Sequence, residues 1–222
     1  MFLGHFAAAL AAKRSAPRVS LGWLVAAGQL PDLIWPVLVL AGIERVRIAP
    51  GDTAYTPLAF EYYPWSHSLV MVAVWGVVFG TLYFAVRRNG RGAVVLGAVV
   101  VSHWVLDWIT HRPDLPLVPG LTTVTGLGLW DSVPATIALE LALIAAGAAL
   151  YLRLTMPRDR RGTWVFAAWI AFLIVTQFAS GFGPPPPSVT AVAASALSMW
   201  LLVIWAWWAD FHRAPATDAS SG

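Results

Sequence analysis

The sequence predicts an all-α fold: a polytopic membrane helical bundle of about six transmembrane helices, plus a short N-terminal amphipathic or re-entrant helix. Three observations carry this. Hydrophobic residues make up 59% of the 222 residues and charged residues only 11%, less than half of the roughly 25% charged content of a typical soluble domain. The apolar residues gather into six runs of spanning length, about 20 residues each. The basic residues are unevenly shared between the connecting segments: eleven of the 14 Lys and Arg fall in one alternating set and three in the other, the bias that orients membrane helices.

In chain order, Met1–Ala12 is apolar but short. Twelve helical residues rise about 18 Å, so this segment either lies in the interface or re-enters the bundle. The spans follow as Val19–Ile43, Ser66–Val86, Gly92–His111, Gly128–Leu152, Thr163–Phe182 and Val189–Phe211. Pro31 and Pro36 weaken the first span and free backbone carbonyls at mid-membrane. Residues 1–212 make one transmembrane domain, and the polar, small-residue stretch 213–222 is expected to be a disordered tail. The larger basic set includes Lys13, Arg87, Arg158 and Arg213. It predicts cytoplasmic N and C termini, with the Arg45–Trp65 loop, the Arg112–Leu127 loop and the Pro184–Pro187 turn outside. Trp65, Trp130, Trp164, Trp207 and Trp208 sit near span ends, as in interfacial aromatic belts. Apolar content and the use of Arg over Lys suit a bacterial inner membrane. Membrane lipids are therefore the expected partners. The short basic clusters are explained by topology, so no nucleic-acid partner is predicted.

The chain has no cysteine. Thiolate zinc sites, iron–sulfur clusters and cysteine nucleophiles are thereby excluded, and any metal must be held by His, Asp, Glu or water. Ionisable groups in hydrocarbon are costly and mark function by default. Here they are few. His103, Asp107 and His111 lie at i, i+4 and i+8 of the third span, on one helix stripe. Those residue types are metal ligands. The two histidines stand about 12 Å apart along the axis, so two ions flanking Asp107 fit the spacing better than one, and one ion using two of the three residues also fits. Asp32, His67, Asp131 and Glu140 fall in the same outer half of the bundle. Asp131 suits a helix cap and a catalytic role about equally. Glu140 is a buried carboxylate that needs a partner. Either is a candidate general base. His5 joins this site only if Met1–Ala12 re-enters.

Taken together, His5, the Pro31–Asp32 pair, His67 between Ser66 and Ser68, and His103-x-x-x-Asp107-x-x-x-His111 resemble the bacterial membrane-bound metal-dependent hydrolase family, over roughly residues 1–155. The resemblance implies a metal set of His5, Asp32, His67, His103, Asp107 and His111. The cofactor would be a divalent ion, zinc first, and possibly two ions. It implies a hydrolase without identifying the reaction, and the position of the site in the outer half, among Trp and aliphatic side chains, suggests an amphiphilic, lipid-like or phosphoester substrate. Two other classes use the same residues: a metal-ion or proton transporter, and a non-catalytic structural or haem-binding protein. A transporter should carry ionisable groups through the full depth, whereas these gather on one side.

Overall fold

The computed structural model describes residues 1–216. Five helices are long and apolar enough to cross a membrane, and a bent pair brings the number to six. The chain is thus a multi-pass, all-α membrane bundle.

The bent pair is the first span. α2 (Leu21–Gly28) and α3 (Leu30–Leu40) meet at Gln29 with a 53° bend. Pro31 lacks the N–H that would continue the α2 ladder, so the helix breaks just before it. After α3, strands β1 (Arg45–Ile48) and β2 (Leu58–Tyr62) pair as an antiparallel hairpin. A single turn, α4 (Pro64–His67), leads into α5 (Leu69–Arg87). Arg88, at φ 50°, closes α5 in the left-handed conformation, and α6 (Gly90–Thr110) runs back. A loop with the short ladder β3 (Leu115–Pro116) and β4 (Val124–Thr125) connects to α7 (Val133–Leu154). β5 (Thr155–Pro157), α8 (Arg160–Phe182), α9 (Val189–Leu197) and α10 (Met199–Phe211) complete the bundle, α9 and α10 forming one span. Side-chain oxygens of Ser68, Asn89, Ser132, Asp159 and Ser188 cap the starts of α5 to α9, each satisfying an N–H with no helical partner.

The N-terminal helix α1 (Leu3–Ala12) re-enters. Leu3, Phe6, Ala9 and Leu10 are wholly buried, and the helix packs against α7, α2 and α6. Gly147 makes this possible. A Cβ there would stand 2.9 Å from the Ala7 Cα and carbonyl oxygen, so only glycine lets α1 and α7 approach so closely. Both ends of α1 are anchored. Glu140 on α7 accepts from the Phe2 N–H at 3.0 and 3.1 Å and from the Gly4 N–H at 3.2 Å. Lys13, buried at the other end, donates to the Val19 carbonyl and to Asp210, each at 2.9 Å. Met1, predicted at the cytoplasmic face with Lys13, therefore lies at the opposite end of α1, inside the bundle. The Glu140 carboxylate holds it there by binding the positive end of the helix.

The tail also departs from expectation. Arg213–Pro215 forms β6 and pairs with β5. Arg213 is buried, donates to the Thr155 and Gly162 carbonyls at 2.9 Å each, and lies over Tyr151 and Phe166. The part of the predicted tail at 217–222 lies outside the described residues. The remaining apolar surface is large: Val77, Val94, Leu201 and Phe211 are 65–75% exposed. That is the exterior of a lipid-solvated bundle, since a water-solvated monomer rarely shows such contiguous patches.

Candidate metal centre

Five of the predicted ligands converge, and they come from four elements. His5 arrives on α1, Asp32 on the first turn of α3, His67 at the end of α4, and His103 with Asp107 one turn apart on α6. Two groups of donor atoms form, each within 4.8 Å: His5, His103 and Asp107, and Asp32, His67 and His103. His5 Nε2 stands 3.1 Å from Asp107 Oδ1, His103 Nε2 3.0 Å from Asp107 Oδ2, and His67 Nε2 3.3 Å from Asp32 Oδ1. Donor atoms sharing a zinc-sized ion at about 2.0–2.2 Å lie roughly 3–4 Å apart, so these spacings suit a shared cation. The Met1 amino group also reaches Asp107 Oδ1.

Hydrogen bonds set the tautomers. His103 Nδ1 lies 2.8 Å from the Gly28 carbonyl, which accepts only, so Nδ1 carries the proton and Nε2 presents a lone pair. The Gly28 carbonyl is free to accept because the helix breaks at Gln29. His103 Nε2 is buried without a hydrogen-bond partner. His67 is set through a relay. Ser66 Oγ donates to Glu44 Oε2 at 2.6 Å and so accepts from His67 Nδ1 at 2.7 Å. Glu44 is itself held by the Trp65 and Ser66 N–H groups at 2.8 and 2.9 Å. His67 Nε2 is thereby left as a lone pair facing Asp32. Two imidazole lone pairs and two carboxylates pointing at one another repel unless a cation lies among them. Orientation of a ligating His by a hydrogen bond at its other nitrogen is the usual support of a metal site.

Three predicted residues are elsewhere. His111 belongs to neither group. α6 ends at Thr110, and His111 has extended backbone with ψ 144°, so the i+8 position leaves the stripe. Its Nδ1 lies 3.0 Å from Asp114 Oδ1 and 3.2 Å from the Tyr63 hydroxyl, and its ring packs on Trp130. Burial alone would raise the Asp114 carboxyl, but the bonds from His111, Tyr63 and Arg112 outweigh it and hold it below the usual carboxylate range. Asp131 is exposed at the end of a 3₁₀ turn, and Ser132, not Asp131, caps α7. Glu140 is buried and bonded to the start of α1, so its partner is backbone.

The cluster opens onto a cavity of about 720 Å³, within the 300–1,000 Å³ typical of ligand sites. Asp32, His67, Asp107, His111 and Glu140 line its polar part, and Trp35, the Tyr55–Leu58 segment, Trp130 and residues of α8 to α10 line the rest. Sequence reasoning missed Glu44 altogether. Its only signal was an acidic residue in an otherwise basic loop segment, and nothing local tied it to Ser66.

The chain matches no family model, no curated protein and no solved structure.

Proposed function

We propose that the protein is a membrane-embedded, metal-dependent hydrolase of a lipid-like ester or phosphoester. One observation carries the reading: the lone pairs of His67 and His103, with both Nδ1 atoms committed elsewhere, converge on the Asp32 and Asp107 carboxylates. The overlapping groups share His103, an arrangement suited to one divalent ion or to a closely spaced pair. Zinc fits the His and carboxylate donors, and it supplies a water acidified to a pKa near ~7.

The chain's own groups divide the remaining work. Asp107, flanked by His5 and His103, is enclosed, whereas the Asp32 side chain is 27% exposed and stands where the cavity meets the cluster. A substrate therefore approaches from the Asp32 side. The apolar walls exclude water from the reacting bond. In this reading, which follows the positive-inside bias, the Lys13 end of the bundle is cytoplasmic and the site lies in the outer half of a bacterial inner membrane.

A transporter reading lacks the second half of its path. Between the cluster and Lys13 the buried side chains of α1 are Phe6, Ala7, Ala9 and Leu10, and none of them carries an ion.

The test is metal content by inductively coupled plasma mass spectrometry on detergent-purified protein, beside Asp107→Ala. About one or two equivalents in the wild type, lost in the variant, supports the reading. No metal in either after incubation with excess zinc or manganese defeats it.

A further inference from the structure

His111 stands outside both donor groups, yet it lines the same cavity as Asp32, His67 and Asp107. Its Nδ1 lies 3.0 Å from Asp114 Oδ1. That carboxylate is fixed from two other sides: Arg112 Nε donates to Oδ2 and the Tyr63 hydroxyl to Oδ1, each at 3.0 Å. An ionised carboxylate only accepts. His111 Nδ1 therefore carries the proton, and Nε2 presents a lone pair. Nε2 bonds to nothing among the described residues. Unlike His103 Nε2, which is unpaired and sealed, it keeps accessible surface. His111 as a whole is only 3% exposed, and the space it borders is the cavity, so the lone pair opens there.

The ring is also held in place. Trp130 and Phe60 pack on it with centroids 4.2 and 5.1 Å away, and the His111 carbonyl accepts from the Gly128 N–H at 2.7 Å. Gly126 lets that loop close down, since a Cβ there would stand 2.4 Å from the same carbonyl oxygen. One ring nitrogen is thus spent on fixing the tautomer and the other is left free at the cavity wall. An imidazole that moves a proton, oriented by a carboxylate at its far nitrogen, has this division of labour. The two bases expected from the sequence are not free for the work. Glu140 is committed to the Phe2 and Gly4 N–H groups, and Asp131 does not line the cavity.

We propose that His111 is the catalytic proton-transfer residue of this cavity and Asp114 its positioning residue. The proposal rests on the hydrolase reading and names the residue that serves it. Nε2 takes a proton from the attacking water as the water oxygen bonds to the acyl carbon or phosphorus. The same proton passes to the leaving oxygen as its bond to that atom breaks. An alcohol and an acid leave, and His111 ends neutral, as it began. Asp114 touches neither the water nor the substrate: it keeps the proton on Nδ1 and the lone pair on Nε2.

The test uses the full chain in detergent micelles after incubation with zinc. The probes are p-nitrophenyl octanoate for an ester and p-nitrophenyl octyl phosphate for a phosphoester. His111→Gln and His111→Gly should keep their metal, while kcat on the probe that the wild type turns over falls about 10²–10⁴-fold at unchanged KM. Free imidazole should raise the rate of His111→Gly and not that of the wild type, a rescue that a merely structural histidine would not show. A second readout needs no turnover. Heteronuclear NMR of isotope-labelled histidine, with His111→Gln identifying the signal, should place the proton on Nδ1 in the wild type and on Nε2 in Asp114→Asn. The kcat of Asp114→Asn should fall with its metal content unchanged. A wild-type ring protonated on Nε2, or full turnover by His111→Gln, overturns the proposal and leaves the hydrolase reading standing. Wild type that holds metal but is inert toward both probes overturns the catalytic role and leaves the metal site. Protein that takes up no metal sinks the hydrolase reading, and the catalytic role with it, whatever the tautomer.

Discussion

His5 lies flat against His103, ring centroids 3.7 Å apart and planes 7° apart, and each ring turns a nitrogen to a different oxygen of Asp107. Two stacked imidazoles sharing one carboxylate form a rigid edge of the cluster. Half of that edge rides on α1, a ten-residue helix that spans nothing. The centre is thus assembled by docking α1, and several consequences can be measured.

Glu44 and Ser66 should govern metal affinity without touching the ion. They hold His67 by its Nδ1. Loss of such a support typically weakens metal binding about 10–100-fold. Competition titration of Glu44→Gln and Ser66→Ala against a chromogenic chelator should show a drop of that order for both. Affinity equal to wild type in both would mean that His67 is not oriented through this relay.

Glu140 should behave as an anchor for α1. Glu140→Ala leaves the Phe2 and Gly4 N–H groups unpaired in a buried site, at about 1–3 kcal/mol for each orphaned group. Thermal unfolding in detergent should move down accordingly, with Glu140→Gln closer to wild type because its carbonyl still accepts. A Gln variant that keeps its stability and metal but loses hydrolysis would restore Glu140 as the general base.

Gly147→Val should disturb the His/Asp cluster from a distance. The new side chain would meet the Ala7 backbone, and overpacking of this kind costs about 1–3 kcal/mol. Displacing α1 also carries His5 off His103. Melting temperature and metal content should therefore fall together, while Gly90→Ala, whose added Cβ meets only the Phe84 ring at 3.9 Å, should leave metal content unchanged.

The basic end carries a small pH-dependent contribution. Asp159 caps α8, and the Gly162 N–H, with His212 and the Arg161 N–H, holds its carboxyl below the usual range. A depressed carboxylate contributes stability above its unfolded pKa of about 3.9 and loses it as pH falls through the lower folded value. Melting curves should thus show the wild type losing part of its advantage over Asp159→Asn only below about pH 4. A constant difference from neutral pH to pH 3 would rule the cap out as the titrating group.

His111 should be dispensable for metal. It belongs to neither donor group and is bonded to Asp114 and Tyr63. Metal analysis of His111→Gln should match the wild type, and loss of the ion would return His111 to the ligand set.

By itself the sequence determined the membrane architecture and the nearest-neighbour part of the site. Each span is announced locally, because hydrocarbon demands an unbroken apolar run and lets no loop cross it. His103 and Asp107 meet because residues four apart on a helix share a face, and the Pro31 break was legible because proline removes a backbone donor. The same helical rule misplaced His111, since α6 stops one residue earlier and the stripe ends with it. Tertiary structure decided what no local pattern encodes. His5 reached the cluster because Gly147 and Glu140 draw α1 into the bundle. Glu44 became the support of His67, and Glu140 became a helix anchor rather than a free carboxylate. Those outcomes depend on which partner a buried charge finds across the bundle. Sequence spacing reports that a partner is needed, and only the packing of α1, α4, α6 and α7 says which one it is.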